Sequence, residues 1–258
     1  MATTQIETRK STVHTSEIRT EPLWAFESHT GKPATRGAAA IAHKCRGADS
    51  ETFNGMSGNN YALATRDAEN QLLPWDEIES HVRNFLQFAK SNPTLSFTVL
   101  ASAQKKSLAE QEKFTDLLRN SPANVVLPGR ILESLDRLSS VRIVFLDSNF
   151  NVDQDERKRV LDQYFAANQC LWNADEIEIV SFGSAQSIVS NDKFANERGF
   201  RHLIMRADPE TYGDYAPQAR EILSIAYATQ LVCLNDPTGT RLADYAWLLA
   251  RIYRSTNC

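Results

Sequence analysis

The sequence has little from which to build a metal clip, a disulfide frame or a membrane span. Its four cysteines, Cys45, Cys170, Cys233 and Cys258, stand too far apart for a CxxC motif. Reduced thiols in a cytosol-like compartment are what that spacing implies. No apolar run approaches the roughly 20 residues that cross a bilayer. Positive charge is not in excess either: residues 1–139 carry 16 basic and 16 acidic groups, and residues 140–258 carry 12 and 16. Sustained contact with a nucleic-acid backbone is therefore not expected. The first 20 residues are rich in Ser and Thr, mix both charge signs and lack the apolar centre of a signal peptide, so they read as a flexible arm.

What is present is ordinary globular composition, with 42% hydrophobic and 23% charged residues over 258 positions. That length favours two cores of roughly 110 to 130 residues each. Strand and helix signals then alternate along the chain. In the first half, Leu23–Phe26 reads as a buried strand and the Ala-rich stretch Gly37–Arg46 as a helix. A turn-rich loop, Phe53–Asn60, delivers the chain into a strand at Tyr61–Thr65. Pro74-Trp75-Asp76-Glu77 opens a helix in which Ile78, Val82, Phe85, Leu86 and Ala89 share one face. A strand at Leu95–Ala101, a helix at Leu108–Arg119 and a strand at Asn124–Leu127 complete this half.

The second half repeats the rhythm more regularly. Strands are expected at Val141–Leu146, Glu176–Phe182, His202–Arg206 and Gln230–Leu234, and helices at Asp153–Ala167, Ser190–Arg198, Ala216–Ala228 and Thr240–Tyr253, with Gly199 as a C-cap. Val141–Leu146 is almost continuously apolar, as a parallel strand covered on both faces should be. The fold class that follows is α/β, with two Rossmann-like or macro-like three-layer domains, 21–139 and 140–258, behind a tail at 1–20. The sheet of the second is expected to be mainly parallel.

In such sheets ligands lie at the carboxyl ends of the strands, which directs attention to the loops after Leu146, Val180, Met205 and Leu234. Ser181-Phe182-Gly183-Ser184 precedes a helix and could offer backbone amides to an anion, but it contains a single glycine beside the bulk of Phe182. Asn235–Thr240 is better suited. Gly239 permits an unusual backbone angle there, and Thr240 can cap a helix while donating to a phosphate.

The stretches EIEIVSFGSAQSIVSNDKFANERGF, YGDYAPQAREILSIA and QLVCLNDPTGTRLADYAW resemble the SLOG superfamily, which includes the Lonely Guy phosphoribohydrolases. Arg220, Glu221, Gly239 and Thr240 match that pattern and Gly183 survives from its first loop. Phe182, Ala185, Gln186 and Ile188 replace the remaining glycines, the arginine and the acid. Ala243 stands where the hydrolases place an acid. The first half, from LWAFESHTGKPATRGAAAIAHKCRGA through FNGMSGNNYALATRD, resembles a small macro-domain-like family common in bacteria and phages. Ser28, Gly31, Gly37, Ala38, Ala39, Gly55, Gly58, Tyr61, Ala62, Thr65 and Asp67 hold its pattern. Glu27 stands where that family has glycine, and an acid there would repel a diphosphate. Together the resemblances imply a ligand set of Gly183, Ser184, Arg220, Glu221, Gly239 and Thr240 in one half, and of Gly31, Gly37, Gly55, Gly58 and Tyr61 in the other.

His29, His43, His81 and His202 show no metal spacing and read as structural or surface residues. Asp153–Glu156 serves a helix N-terminus. Trp24, Trp75, Trp172 and Trp247 read as core or interdomain anchors. With both ligand loops altered and the strands and caps intact, the expectation is a pseudoenzyme-like adaptor with no catalytic residues, metal or cofactor, which binds other proteins. A phage-encoded trafficking or host-takeover factor acting in the bacterial cytoplasm is the setting the resemblance supplies. The alternative is a sensor, sequestering protein or hydrolase for a nucleotide or ADP-ribose derivative. Neither nucleic acid nor membrane is expected as a partner, and a homo-oligomer is compatible with either reading.

Overall fold

The computed structural model describes residues 22–32, 37–101, 108–138, 140–147, 154–168, 173–234 and 251–254. In the first unit the chain runs β1 (Leu23–His29), α1 (Gly37–Cys45), β2 (Gly55–Ser57), β3 (Asn60–Arg66), α2 (Trp75–Ser91), β4 (Phe97–Leu100), α3 (Leu108–Leu118), β5 (Val125–Val126) and α4 (Gly129–Ser134). The second unit runs β6 (Val141–Asp147), α5 (Gln154–Asn168), β7 (Ile177–Ser181), α6 (Ala185–Arg198), β8 (Arg201–Ile204), α7 (Pro209–Tyr212), α8 (Ala216–Tyr227), β9 (Gln230–Leu234) and β10 (Arg251–Arg254). Among the described residues no helix is long and apolar enough to cross a membrane.

Each unit holds a five-stranded sheet. The first has the order β2-β3-β1-β4-β5, parallel except for β2, which pairs antiparallel with β3. The second is parallel throughout, in the order β10-β9-β6-β7-β8. From β6 its chain steps outward to β7 and β8, then crosses back to β9 and β10, which is the doubly wound order with a switch point between β6 and β9. In the first sheet the corresponding reversal lies between β1 and β4.

Side-chain alternation along the central strands sorts the core into three layers. On β1, Ala25 faces outward to Ile78, Val82 and Phe85 of α2, while Trp24 and Phe26 face inward to α1. On β6, Ile143 and Phe145 face outward to Val160 and Tyr164 of α5 and Phe194 of α6, while Val144 faces inward to Ile222 and Ile225 of α8. The two inward faces close on one cluster in which Trp24, Phe26, Ile41, Val180, Ile222 and Leu231 are all buried. The two sheets therefore share a middle layer made of α1 and α8. Phe26 alone, fully buried, gains about 2 kcal/mol of hydrophobic transfer. Approach across the layer is close: a Cβ on Gly129 would stand 2.4 Å from the carbonyl oxygen of Ala228 and 2.5 Å from that of Tyr227.

Several local readings need correction. Arg251–Arg254 is the edge strand β10, not the end of a helix spanning Thr240–Tyr253. Ile252 and Tyr253 favour a strand once β9 offers a free edge, and such pairing overrides a local helical period. Residues 240–250 lie outside the described residues. The helix expected to begin at Ser190 begins at Ala185, because Ser184 caps it. The loop Phe53–Asn60 contains β2, and α4 and α7 were not foreseen, although Asp208-Pro209 is a cap followed by proline in the first turn. Gly199 does close α6 in the left-handed conformation, with φ of 71°.

Candidate functional site

At the carboxyl edge of the second sheet, β7 ends at Ser181 and the chain turns through Phe182, Gly183 and Ser184 into α6. Gly183 takes a φ of 101°, which a side chain would strain. The Ser184 hydroxyl accepts from the Ser187 backbone N–H at 3.2 Å and donates to the Ser187 hydroxyl at 3.1 Å. It is engaged by its own helix. Phe182 packs against the shared inner core and so helps to anchor the loop. Arg220 and Glu221 lie in the second turn of α8, which begins at the same edge because each helix runs back against its strands. Both are half-buried, and the Arg220 Nε is buried without a hydrogen-bond partner among the described residues. Gly239 and Thr240 lie outside the described residues, as do the loops directly after β6 and β9.

The candidate residues of the first unit do not converge. Gly31, with φ of 87°, follows β1, and Gly37, with φ of 69°, opens α1, so these two lie at the carboxyl edge. Gly55, with φ of 107°, begins β2. Gly58 turns the β2–β3 hairpin at the amino edge, where a Cβ would stand 2.0 Å from the Gly47 carbonyl oxygen. Its missing side chain makes room for backbone. Tyr61 packs on the outer face beneath α2, its ring 5.0 Å from that of Phe85 and 5.5 Å from that of Phe88, and burial pushes its hydroxyl pKa up. The sheet thus separates the Tyr61 ring from the start of α1. At the carboxyl end of β1, Glu27 accepts a hydrogen bond from the Thr65 hydroxyl and Ser28 donates to the Phe53 carbonyl.

Sequence spacing did not announce a polar chain beneath α6. The Ser181 hydroxyl lies 2.8 Å from His202 Nε2, and His202 Nδ1 lies 2.9 Å from an Asp192 carboxylate oxygen. Asn191 donates to the same serine oxygen at 2.9 Å. The two ring nitrogens of His202 thus bridge the Ser181 hydroxyl and the Asp192 carboxylate. The connectivity is that of a serine-hydrolase triad, yet the order of exposure is reversed. Ser181 is 1% exposed while the Asp192 side chain is 54% exposed. A nucleophile must meet substrate and its orienting acid should be sheltered, so this chain fits a hydrogen-bonded strut between sheet and helix better than an acyl-transfer site. Two other histidines are also tied locally: His43 Nδ1 meets the Ala48 carbonyl at 3.2 Å, and His81 Nδ1 meets that of Ala64 at 2.8 Å. Among the described residues no group of three or more His, Cys, Asp or Glu could hold a metal ion.

The most elaborate polar cluster joins the two units. Arg46, just beyond α1, donates from Nη1 to the Tyr212 hydroxyl at 2.6 Å, from Nη2 to the Pro22 carbonyl at 2.8 Å and from Nε to Asn60 at 3.0 Å. Asn60 returns a bond to the Arg46 carbonyl at 3.0 Å. The guanidinium lies 4.8 Å from the Trp24 ring, which stacks on Tyr212 at 5.8 Å. Beside it, Lys44 donates to the Tyr215 hydroxyl at 2.8 Å. Pro22, Trp24 and Asn60 belong to the amino edge of the first sheet, whereas Tyr212 and Tyr215 follow β8 at the carboxyl edge of the second. Trp24, expected as a core or interdomain anchor, lies in the shared core and stacks on Tyr212 of the second unit. Trp75 packs partly buried on the outer core, and Trp172 and Trp247 lie outside the described residues. Compared with protein-family models, with curated proteins and with solved structures, the chain matches none of them.

Proposed function

We propose that this chain is a non-catalytic adaptor, a protein that uses two nucleotide-binding-type α/β units as a rigid platform for binding other proteins. The observation that carries the reading is the seam. Along the carboxyl edge of the second sheet, the segment after β8 is fastened to the first unit through Tyr212, Arg46 and Trp24. Two further features agree with it: Ser184 bonds within its own helix, and the Ser181–His202–Asp192 chain points its acid outward. The macro-domain-like and SLOG-like resemblances add a setting to the proposal, that of a phage-encoded pseudoenzyme acting in trafficking or host takeover. Affinity capture with the tagged full chain from a bacterial lysate, scored against a tag-only control, is the test. Specific co-purifying proteins are the expected result; a chain recovered alone would count heavily against an adaptor.

A second reading has one observation in its favour, the buried Arg220 Nε at the carboxyl edge, which has no partner among the described residues. A nucleotide or ADP-ribose sensor would use such a group. Millimolar ADP-ribose, AMP and ATP in a thermal-shift assay separate the two, since a ligand that binds only the folded state raises its apparent stability. The adaptor predicts no shift. A shift that Arg220→Ala abolishes would replace it with the sensor.

A further inference from the structure

The adaptor reading does not say which surface meets a partner, and the inference that follows rests on that reading. On the outer face of the first sheet, α2 and α3 enclose an open groove of about 880 Å³. Trp75, Leu86 and Lys90 line it from α2, and Lys113 and Leu117 from α3. From Trp75 to Lys90 the groove wall is roughly 22 Å long at the helical rise of about 1.5 Å per residue.

The charges along it are unevenly compensated. Arg83 is bound to Glu79 at 2.6 Å, and Asp116 to Arg119 at 2.6 Å, so each of those charges is met by its neighbour. Lys90 and Lys113 are exposed, and among the described residues neither has a carboxylate within ion-pair distance. The Lys113 ammonium stands 5.7 Å over the half-buried Trp75 ring, which leaves its outer side free for an anion. The groove therefore offers an apolar floor flanked by two uncompensated cations.

We propose that this groove docks an acidic, amphipathic peptide segment of a partner protein, with its carboxylates at Lys90 and Lys113 and its apolar side chains on Trp75, Leu86 and Leu117. A segment of about 14 residues in a helix, or about 6 to 7 when extended, spans that length. Nucleic acid is disfavoured by chemistry: two free cations cannot match a phosphate backbone, and Glu79 and Asp116 also line the groove. An anionic membrane surface ordinarily calls for a cluster of about four to eight basic residues, which the groove lacks.

Fluorescence anisotropy with the full chain tests the proposal, using three labelled 14-residue probes. One is an amphipathic Glu/Leu peptide, one its Lys/Leu counterpart, and one a Glu/Ser peptide without apolar residues. The Glu/Leu probe should bind, with quenching of tryptophan emission, and at least ten times more tightly than the other two. The double variant Lys90→Glu/Lys113→Glu, placed at exposed positions, should weaken it at least tenfold with the melting temperature unchanged. Gln87→Trp, which fills the groove without altering charge, should do the same. Equal binding of the Lys/Leu probe, or binding unaffected by both variants, would overturn the proposal. So would tighter binding of the chain to a single-stranded DNA oligomer or to phosphatidylserine vesicles, if that binding is lost in the double variant. In the capture experiment, specific partners that persist with both groove variants would leave the adaptor standing and remove this groove from it.

Discussion

The two sheets are built by the same alternation of strand and helix, yet their edges are used differently. Among the described residues, the polar seam joins the amino edge of the first unit, with Pro22, Trp24, Asn60 and the end of α1, to the carboxyl edge of the second, with Tyr212 and Tyr215 after β8. The opposite edges also meet, where Gly129 after β5 approaches the Tyr227 and Ala228 carbonyls ahead of β9. One edge that normally carries only turns has thus become half of a joint, and the other has lost part of its access. A doubly wound sheet can thus keep its strands while part of its carboxyl edge packs against a neighbouring unit.

Removing the joint should have the largest effect. Arg46→Ala deletes the bonds to Tyr212, Pro22 and Asn60 and leaves buried acceptors without donors. A loss of about 3–5 kcal/mol is expected. Equilibrium denaturation followed by tryptophan fluorescence should show it, together with a broader transition as the units begin to unfold separately. A loss under about 1 kcal/mol would mean that the shared apolar layer alone holds the units together.

Gly129→Ala probes the contact between the units without deleting a polar side chain. Its new methyl would press on the ends of the Tyr227 and Ala228 carbonyls, which α8 cannot withdraw without disturbing the middle layer. A cost of about 2–3 kcal/mol is expected, in the range of core overpacking. A neutral result in chemical denaturation would show that α4 can move away from α8 freely.

How much of this was legible beforehand follows from whether a feature is local. Strands such as Val141–Asp147 and helices such as Trp75–Ser91 carry their periodicity in sequence, and so were readable to within a few residues. The Gly199 cap was equally plain, because a left-handed cap needs only one residue. Strand β10 was hidden, since Arg251–Arg254 becomes a strand only when β9 lies beside it. Arg46 ends an Ala-rich helix, and nothing nearby distinguishes it from a solvated basic residue. Its partner Tyr212 is 166 positions away. Ser181, Asp192 and His202 are likewise joined by the register of β8 on β7 and by the turn of α6, not by any spacing that chemistry demands. The resemblance put Gly58 in a ligand set, and a steric demand for no side chain looks the same in sequence whether the approaching atom belongs to a ligand or to the Gly47 backbone, which lies against it here.

The buried strut of the second unit offers a smaller test. Ser181→Ala removes the hydroxyl shared by His202 and Asn191 and should cost about 1–2 kcal/mol. Hydrolysis of p-nitrophenyl acetate should be no faster in the wild-type chain than in this variant. Faster turnover that the variant abolishes would convert the strut into a working triad and undo the contrast between a fastened edge and an active one.

The smallest expected effect belongs to His29, the first unit's counterpart to that strut. His202 has a partner on each ring nitrogen, whereas His29 Nδ1 is buried with none among the described residues, and burial is the main cause that lowers its pKa below 6.5. Nearby Glu27 opposes the shift, and Arg66 adds to it. In the unfolded chain this histidine takes up a proton near pH 6.5, while in the fold it does so only at lower pH. Below pH 6.5 the unfolded state therefore binds more protons, and the contribution of His29 to stability, fully present above that pH, declines as the solution is acidified. The ring is partly open to solvent, so the effect should stay below about 1 kcal/mol. His29→Gln cannot titrate. The difference in unfolding free energy between pH 7.5 and 5.0, measured by urea denaturation, should be slightly smaller in that variant than in the wild-type chain. An equal difference would mean that the ring is solvated in the fold and that the two units do not treat their histidines differently.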